Sequence, residues 1–248
     1  MTMPILLNGA RGRMGQAIAA VAEEEGCRIV AECDIGSNPV EHLPNCGVVV
    51  DFSSHESTPD LAEECAAQGK PLVIGTTGHT PEETERIKAC AEKIPMVWAG
   101  NYSIGVNLLI HLTRQAAKLL PESYHPEIVE MHHRHKKDAP SGTAENLLEA
   151  VLEGRQWEPE AALRSRSGLT GERPDQEVGV HALRGGSVVG EHTVVFAGPS
   201  ERIEFSHSAG DRSIFARGAL TAAKWVAGKK PGIYRMGEVL GLTDGTED

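Results

Sequence analysis

Aromatic side chains are scarce in this chain: phenylalanine, tyrosine and tryptophan together make up 4% of its 248 residues. A core with so few rings must rest on aliphatic side chains, and a hydrophobic fraction of 40% supplies enough of them. Positive charge is also short. Twenty-four Lys and Arg against 35 Asp and Glu leave a formal net charge of −11, which argues against a nucleic-acid partner, because phosphates are held by basic side chains. No apolar run reaches the length of a bilayer span. The N-terminus passes straight into Ile5-Leu6-Leu7 without a basic segment, long apolar run and cleavage site. The expectation is a cytoplasmic protein with no membrane partner. C-x-x-C pairs are missing as well. The five cysteines, Cys27, Cys33, Cys46, Cys65 and Cys90, are odd in number and confined to the first half, so they read as reduced core thiols.

What is present in residues 3–101 is an alternation of short apolar runs and amphipathic stretches, the pattern of βα units on a parallel sheet. Strands are predicted at residues 5–7, 28–33, 48–52, 72–75 and 96–99. Met14, Ala17, Ile18, Val21 and Ala22 recur at helical spacing, with Gly26 placed to cap the C-terminal end. Thr58-Pro59 and Thr80-Pro81 each put a capping hydroxyl before a first-turn proline, and Glu83 completes a capping box with Thr80. A longer helix is predicted over 104–120. Beyond Pro121 the pattern changes to a strand at 127–131, a charged loop, a helix around 144–152 and a polar stretch at 164–174. Strand-like runs at 178–183, 193–196 and 203–205 follow, separated by glycine-containing turns. An apolar stripe of Phe215, Ala219, Ala222 and Val226 marks a last helix suited to return to the first domain. The fold class is therefore α/β: a Rossmann-type parallel sheet domain plus a smaller α+β domain with a mixed sheet.

Gly9-Ala10-Arg11-Gly12-Arg13-Met14-Gly15 lies between a strand and an amphipathic helix, the context a dinucleotide-phosphate loop requires. Gly9 permits the tight turn, Gly12 close approach of pyrophosphate, and Gly15 close packing of helix on strand. Glycines also occupy ordinary βα turns, but Asp34 ends the second strand about 20 residues on, where an acid accepts ribose hydroxyls. Gly75-Thr76-Thr77-Gly78 and Ala99-Gly100-Asn101-Tyr102 close the fourth and fifth strands at the ligand-binding carboxyl edge. Plain turn chemistry accounts for those two segments equally well.

The most unusual stretch is Met131-His132-His133-Arg134-His135-Lys136-Lys137-Asp138-Ala139-Pro140-Ser141-Gly142-Thr143, which concentrates cations in an acidic chain. A metal site is disfavoured, for there is no nearby cysteine and no H-E-x-x-H helix. A solvated charged loop is one reading. The other is a catalytic, anion-binding loop. Histidine gives a proton donor near neutral pH, lysine a positive charge, and Ser141-Gly142-Thr143 at a helix start a carboxylate cradle.

E-M-H-H-R-H-K-K-D-A-P-S-G-T resembles the signature of the dihydrodipicolinate reductases, also called 4-hydroxy-tetrahydrodipicolinate reductases. The likeness continues through G-A-R-G-R-M-G at Gly9, D-F-S at Asp51, V-I-G-T-T-G at Val73, N-Y-S-I-G-V-N at Asn101 and G-E-H-T at Gly190. The resemblance implies hydride transfer from NAD(P)H to C4 of a cyclic unsaturated imine dicarboxylate, with a proton to the adjacent carbon, in diaminopimelate and lysine biosynthesis. It implies His132 as general acid and Lys136 as the residue that holds a substrate carboxylate and assists proton transfer. His133, Ser141, Gly142 and Thr143 would bind substrate. Gly9, Ala10, Arg11, Gly12, Arg13, Met14, Asp34, Gly75, Thr76, Thr77, Ala99, Gly100, Asn101 and Tyr102 would bind cofactor. Residues 1–102 with 213–248 would form the dinucleotide-binding domain, and 103–212 the substrate-binding domain through which a homotetramer assembles.

Asp34 followed by Ile35-Gly36 favours NADH over NADPH, since a fixed carboxylate repels a 2′-phosphate, although Arg11 and Arg13 could recover part of the loss. Two departures stand out. The segment from Asp34 to Val48 is short, which would reduce the adenine side of the pocket, and Gly100 replaces the alanine or proline of many relatives. Two alternatives share the glycine loop: another two-domain dehydrogenase acting on an amino or imino acid, and a dinucleotide-binding redox sensor without catalysis. Only the histidine loop separates them from the reductase.

Overall fold

The computed structural model describes residues 2–242. Residue 1 and residues 243–248 of the expected cofactor domain lie outside them. The described residues divide into two compact units, 2–104 with 212–242, and 105–211.

In the first unit the strands are β1 (Met3–Asn8), β2 (Cys27–Cys33), β3 (Val48–Asp51), β4 (Leu72–Ile74) and β5 (Pro95–Trp98). The helices between them are α1 (Arg13–Val21), α2 (Thr58–Ala67) and α3 (Pro81–Cys90). All strands pair in parallel, in the order β5-β4-β3-β1-β2. Their apolar runs are continuous because both faces are covered. One core joins Ile5, Leu7, Val48 and Val50 to Ile18 of α1, and a second joins Leu6, Val49, Leu72 and Ile74 to Leu61 of α2 and Ile87 of α3. The five cysteines are buried in these cores as free thiols; burial pushes Cys65 up out of its ordinary range. The strand order reverses at β1, which makes the carboxyl ends of β1 and β3 the switch point where open α/β sheets bind ligands.

Local signals account for most boundaries. Gly26 takes φ +71°, and the Cys27 amide reaches back to the Ala22 carbonyl, so the turn after α1 closes on a left-handed glycine. The Thr80–Glu83 capping box forms in full. Thr58 does not cap α2. Ser57 stands at that position, and Thr58 turns its hydroxyl inward to Asp51 at 2.7 Å, because a buried carboxylate gains more from a donor than a helix end does.

The second unit opens with α4 (Ile104–Leu119) and carries β6 (His125–His132), α5 (Gly142–Arg155), β7 (Ala162–Arg164), β8 (Val178–Arg184), β9 (Glu191–Ala197) and β10 (Arg202–Ser208). Its sheet is mixed, ordered β10-β9-β6-β8-β7, with β6 and β7 parallel to β8 and the other pairs antiparallel. One face, with Ile128, Val178, Val180, Val194 and Phe196, packs under Leu109 of α4 and Leu147, Leu148 and Val151 of α5. Val129, Met131, Leu183 and Val195 alternate onto the opposite face and lie outside that core.

After residue 211 the chain returns to the first unit. Helix α6 (Ser213–Val226) packs Ala216, Ala219, Leu220 and Ala223 into the core of α1, and β11 (Gly232–Tyr234) adds a sixth parallel strand beside β5 before the short α7 (Met236–Val239). The 3-10 turn Pro39–Asn45, β7, β11 and α7 were not foreseen in the sequence.

Candidate active site

The switch point of the first unit is built around glycines that admit no side chain. Gly9, at φ +82°, would place a Cβ 2.2 Å from the Phe52 carbonyl oxygen, and Gly15 would place one 2.2 Å from the Gly9 carbonyl oxygen. Helix α1 starts with Gly12 at its N-cap, without a side-chain cap or an acid in its first turn. Its leading amides and positive dipole end therefore suit a phosphate. A cleft of about 570 Å³ runs from Gly9 and Gly12 past Asp34 to Ile35, Pro39, Val40 and Leu61. These residues fit a dinucleotide. The short segment after Asp34 does not strip the cleft of its apolar wall, because the 3-10 turn beginning at Pro39 folds over it and anchors Leu43 in the core.

Asp34 is fixed by two backbone amides, from Arg11 at 2.7 Å and Ile35 at 2.8 Å. The Arg11 amide first, then that of Ile35, holds its carboxyl below the usual range, so it stands as an anion at the cleft wall. Arg11 and Arg13 are exposed, whereas Ala10 is buried and Met14 packs against the core. Gly75 is held by sterics, for a Cβ there would meet the Phe52 ring at 2.1 Å, while Gly100 has only Thr77 at 4.0 Å and an alanine would fit. Thr77 and Ala99 stay partly or fully exposed at the sheet edge, and the Asn101 side chain accepts the Ser103 amide. The Tyr102 side chain is committed elsewhere. It is buried with its hydroxyl on the Ile74 and Val97 carbonyls, and burial pushes that hydroxyl well up. A cofactor contact there is confined to its backbone.

Sequence reasoning assigned no role to Asp51, yet it organises this edge. Fully buried at the end of β3, it accepts Asn8 at 2.8 Å, Ser53 at 2.5 Å, Thr58 at 2.7 Å and Thr76 at 2.8 Å. Four donors from four segments satisfy the charge that burial would otherwise penalise. Asn8 and Asp51 thereby tie β1 to β3 across the switch point, and the Thr76 hydroxyl also receives the Ser53 amide at 3.0 Å.

The second unit carries the histidine loop. His132 ends β6, largely buried, and its Nδ1 lies 2.6 Å from Glu130 Oε2. Burial alone would raise the Glu130 carboxyl; Arg184 and then His132 outweigh it and hold Glu130 below its ordinary 4.5. An ionised carboxylate only accepts, so the His132 proton facing it sits on Nδ1. Arg184 grips both oxygens of Glu130, each at 2.8 Å, and Oε1 also takes the Ser141 amide at 3.1 Å. Ser141 caps α5 by accepting the Ala144 amide, with Gly142 and Thr143 in the first turn behind it. His192 on β9 stacks edge-on to His132, with centroids 5.2 Å apart, and touches Ser141 Oγ.

Lys136 pairs with Asp138 at 2.9 Å, and Asp138 in turn is held below its usual range chiefly by that lysine. Its carbonyl accepts Arg184 at 2.7 Å, just before the cis Ala139–Pro140 peptide. His133 is partly buried and its Nδ1 accepts the His135 amide. His132, Lys136 and Ser141 thus belong to one hydrogen-bonded group, knitted by Glu130, Arg184 and Asp138. Those last three residues, with His192, escaped the sequence reading, although Glu130 and Asp138 stand inside the signature that drew attention to the loop.

A helix start suited to phosphate at the switch point of the first unit, and a carboxylate-backed histidine beside the start of α5 in the second, are features of a pyridine-nucleotide-binding dehydrogenase of the Rossmann type. Residues 3–102 match the family model "Dihydrodipicolinate reductase, N-terminus", and residues 105–240 the model "Dihydrodipicolinate reductase, C-terminus". The chain belongs to the dihydrodipicolinate reductase family. It is 50% identical to the 4-hydroxy-tetrahydrodipicolinate reductase of Akkermansia muciniphila over 243 residues, covering 96% of this chain and 98% of that protein. With the enzyme of the same name from Caulobacter vibrioides it shares 48% identity over 249 residues, covering 96% and 97%. In fold it is similar to the dipicolinate-bound dihydrodipicolinate reductase from Paenisporosarcina sp. TG-14, with a TM-score of 0.78 at 23% identity over 95% of this chain and 98% of that one.

Proposed function

We infer that the protein converts 4-hydroxy-tetrahydrodipicolinate, NAD(P)H and a proton into tetrahydrodipicolinate, NAD(P)+ and water, a step of diaminopimelate and lysine biosynthesis. The observation that carries this reading is the histidine loop of a chain of this family, with His132 backed by a carboxylate and set beside the Ser141 helix start. A reduced nicotinamide, when bound, would supply the hydride for C4 of the cyclic unsaturated imine dicarboxylate that remains once the 4-hydroxyl and a hydrogen of the adjacent carbon have left as water.

The rest falls to the chain's own residues. The first unit holds the dinucleotide through the Gly9–Gly12 loop, the α1 amides, Asp34 and the backbone of residues 75–77 and 99–102. In the second, one substrate carboxylate lies at the start of α5 on Ser141, Gly142 and Thr143, and His133 lines the same loop. Lys136 exchanges Asp138 for a substrate carboxylate, which is favourable once both charges are desolvated. His132 gives its Nε2 proton to the carbon next to C4, and Glu130 keeps the Nδ1 proton in place throughout.

Three finer expectations belong to the same reading. NADH is preferred about tenfold over NADPH, near 1.4 kcal/mol, because Asp34 is anchored as an anion and Asp60 and Glu64 line the same cleft. The protein works in the cytoplasm; among the described residues no helix is long and apolar enough to cross a membrane. Four copies assemble through the uncovered face of the second sheet.

The test is oxidation of NADH and of NADPH with enzymatically generated substrate, and absence of turnover with both overturns the reading. His132→Gln is expected to keep the fold and cofactor binding while lowering kcat roughly 10²–10⁴-fold, the scale of a lost general acid. Lys136→Ala is expected to raise KM as well as lower kcat, since its carboxylate contact exists in ground and transition states alike.

A further inference from the structure

The contacts of Glu130 go beyond what a buried structural ion pair needs. Its carboxylate is wholly removed from solvent and each oxygen has two partners: Oε2 meets His132 Nδ1 and Arg184 Nη1, and Oε1 meets the Ser141 amide and Arg184 Nη2. One carboxylate therefore touches both the proton donor and the cap of the helix assigned to a substrate carboxylate. Arg184 comes from β8, 54 residues away, and besides Glu130 and the carbonyl of its neighbour Leu183 it reaches the carbonyl of Asp138, the residue that holds Lys136.

The groups facing His132 are few. Glu130 lies on its own strand, Arg184 on β8, His192 on β9, and the Lys136–Asp138 pair in the loop. His192 has its proton affinity lowered to about 4 by burial and the neighbouring His132, so it is uncharged at neutral pH. Beside His132 there thus stand one fixed anion and the fixed cation bound to it, with the Lys136–Asp138 pair in the loop.

We propose that Glu130 and Arg184 are a paired positioning device for the reduction: Glu130 orients His132 and favours its protonated form, and Arg184 tempers that pull while locking Glu130 to the Ser141 helix start. The assignment of His132 as proton donor rests on the function proposed above; the electrostatic claim does not. Physically, a lone buried carboxylate against an imidazole would hold the proton too tightly to release it, and an imidazole without one would seldom carry it near neutral pH. A carboxylate shared with a guanidinium lies between those extremes.

The two partners must therefore act with opposite sign. The experiment is a 15N-histidine NMR titration of the intact, substrate-free protein, with His132 assigned from the His132→Gln spectrum. In the unaltered protein, neutral His132 is expected to carry its proton on Nδ1, and an Nε2–H tautomer overturns the proposal without any variant. Glu130→Gln is expected to move the His132 titration midpoint down by roughly one pH unit or more, and Arg184→Met to move it up. Midpoints that stay put, or move the same way, overturn it.

The alkaline limb of the kcat/KM profile should follow the midpoint in each variant, with turnover of Glu130→Gln reduced roughly 10–10³-fold. Absence of turnover in the unaltered protein counts against the reductase reading alone and leaves the NMR result to judge the pair. A purely structural role would lower thermal stability in both variants and leave the two signs equal.

Discussion

Ser141 Oγ lies 3.1 Å from His192 Nε2 while accepting the Ala144 amide at 3.2 Å, so one oxygen caps α5 and partners a buried imidazole. His192 is 4% exposed, and its affinity for a proton falls from the ordinary 6.5 to about 4, first through burial and then through the nearness of His132. Unfolding frees it to take a proton at the higher pH. Its contribution to stability is thus complete above pH 6.5 and is lost as pH falls from 6.5 towards 4. The difference of 2.5 between those values corresponds to roughly 3 kcal/mol. His192→Gln keeps a polar group near Ser141 without the titration. Urea unfolding at pH 7, 5.5 and 4.5 is expected to show the unaltered protein losing roughly 2 kcal/mol more than this variant over that range, most of the full amount; parallel losses would refute the assignment.

Gly190 stands beside the other nitrogen of His132, the proton donor of the proposed reaction. A Cβ at that position would stand 3.0 Å from His132 Nε2, nearer than ordinary van der Waals contact. Gly190→Ala should push the ring or narrow the approach to it, and small displacements at a reacting centre cost up to about 100-fold. The expected result is a kcat lowered roughly tenfold or more with the dissociation constant for NADH unchanged. Unchanged turnover would show that substrate approaches His132 from another side.

How much of this could be read beforehand depended on sequence distance. The Gly9–Gly15 spacing, the Thr80–Glu83 box and the β1–β5 apolar runs carry their meaning within a few residues, and each took the form the sequence indicated. Strand β11 has three residues, Gly232, Ile233 and Tyr234, too few for a strand pattern to show in the sequence, and it exists because β5 offers an open edge. The Asp51 hub draws donors from β1, the turn after β3, α2 and the β4 end, a convergence no local pattern encodes. Arg184 reached Glu130 only through the β6–β8 register, which pairs His132 with Arg184 and Glu130 with Ala182. Thr58 misled for the same reason: its hydroxyl fits a helix cap, but a buried acid 2.7 Å away was the stronger claim.

Gly15 gives a test of the cofactor loop separate from chemistry. A side chain there would meet the Gly9 carbonyl oxygen at 2.2 Å and Ala10 at 2.6 Å, all backbone atoms that cannot rotate away. Gly15→Ala must push α1 off the Gly9–Ala10 turn, opening the loop that would hold the pyrophosphate. Overpacking of this kind costs about 1–3 kcal/mol, so a folded variant is expected with NADH affinity lowered roughly 10–10²-fold. Calorimetric titration with NADH and a thermal melt check both halves, and retained affinity would place the dinucleotide elsewhere.

The uncovered sheet face makes the last prediction. Leu183 is 49% exposed and, with Val129, Met131 and Val195, occupies the side of the second sheet that α4 and α5 leave bare. At such a position in an isolated chain, Leu183→Asp should change stability by only about 0.5 kcal/mol, because the side chain already meets water. In a tetramer built on that face the same carboxylate is buried four times in an apolar contact, where an unpaired charge costs several kcal/mol. The variant is therefore expected to sediment as a dimer or monomer at micromolar concentration, with unchanged far-ultraviolet circular dichroism, while the unaltered protein sediments as a tetramer. A variant that keeps the mass of the unaltered protein would move the assembly surface off this sheet.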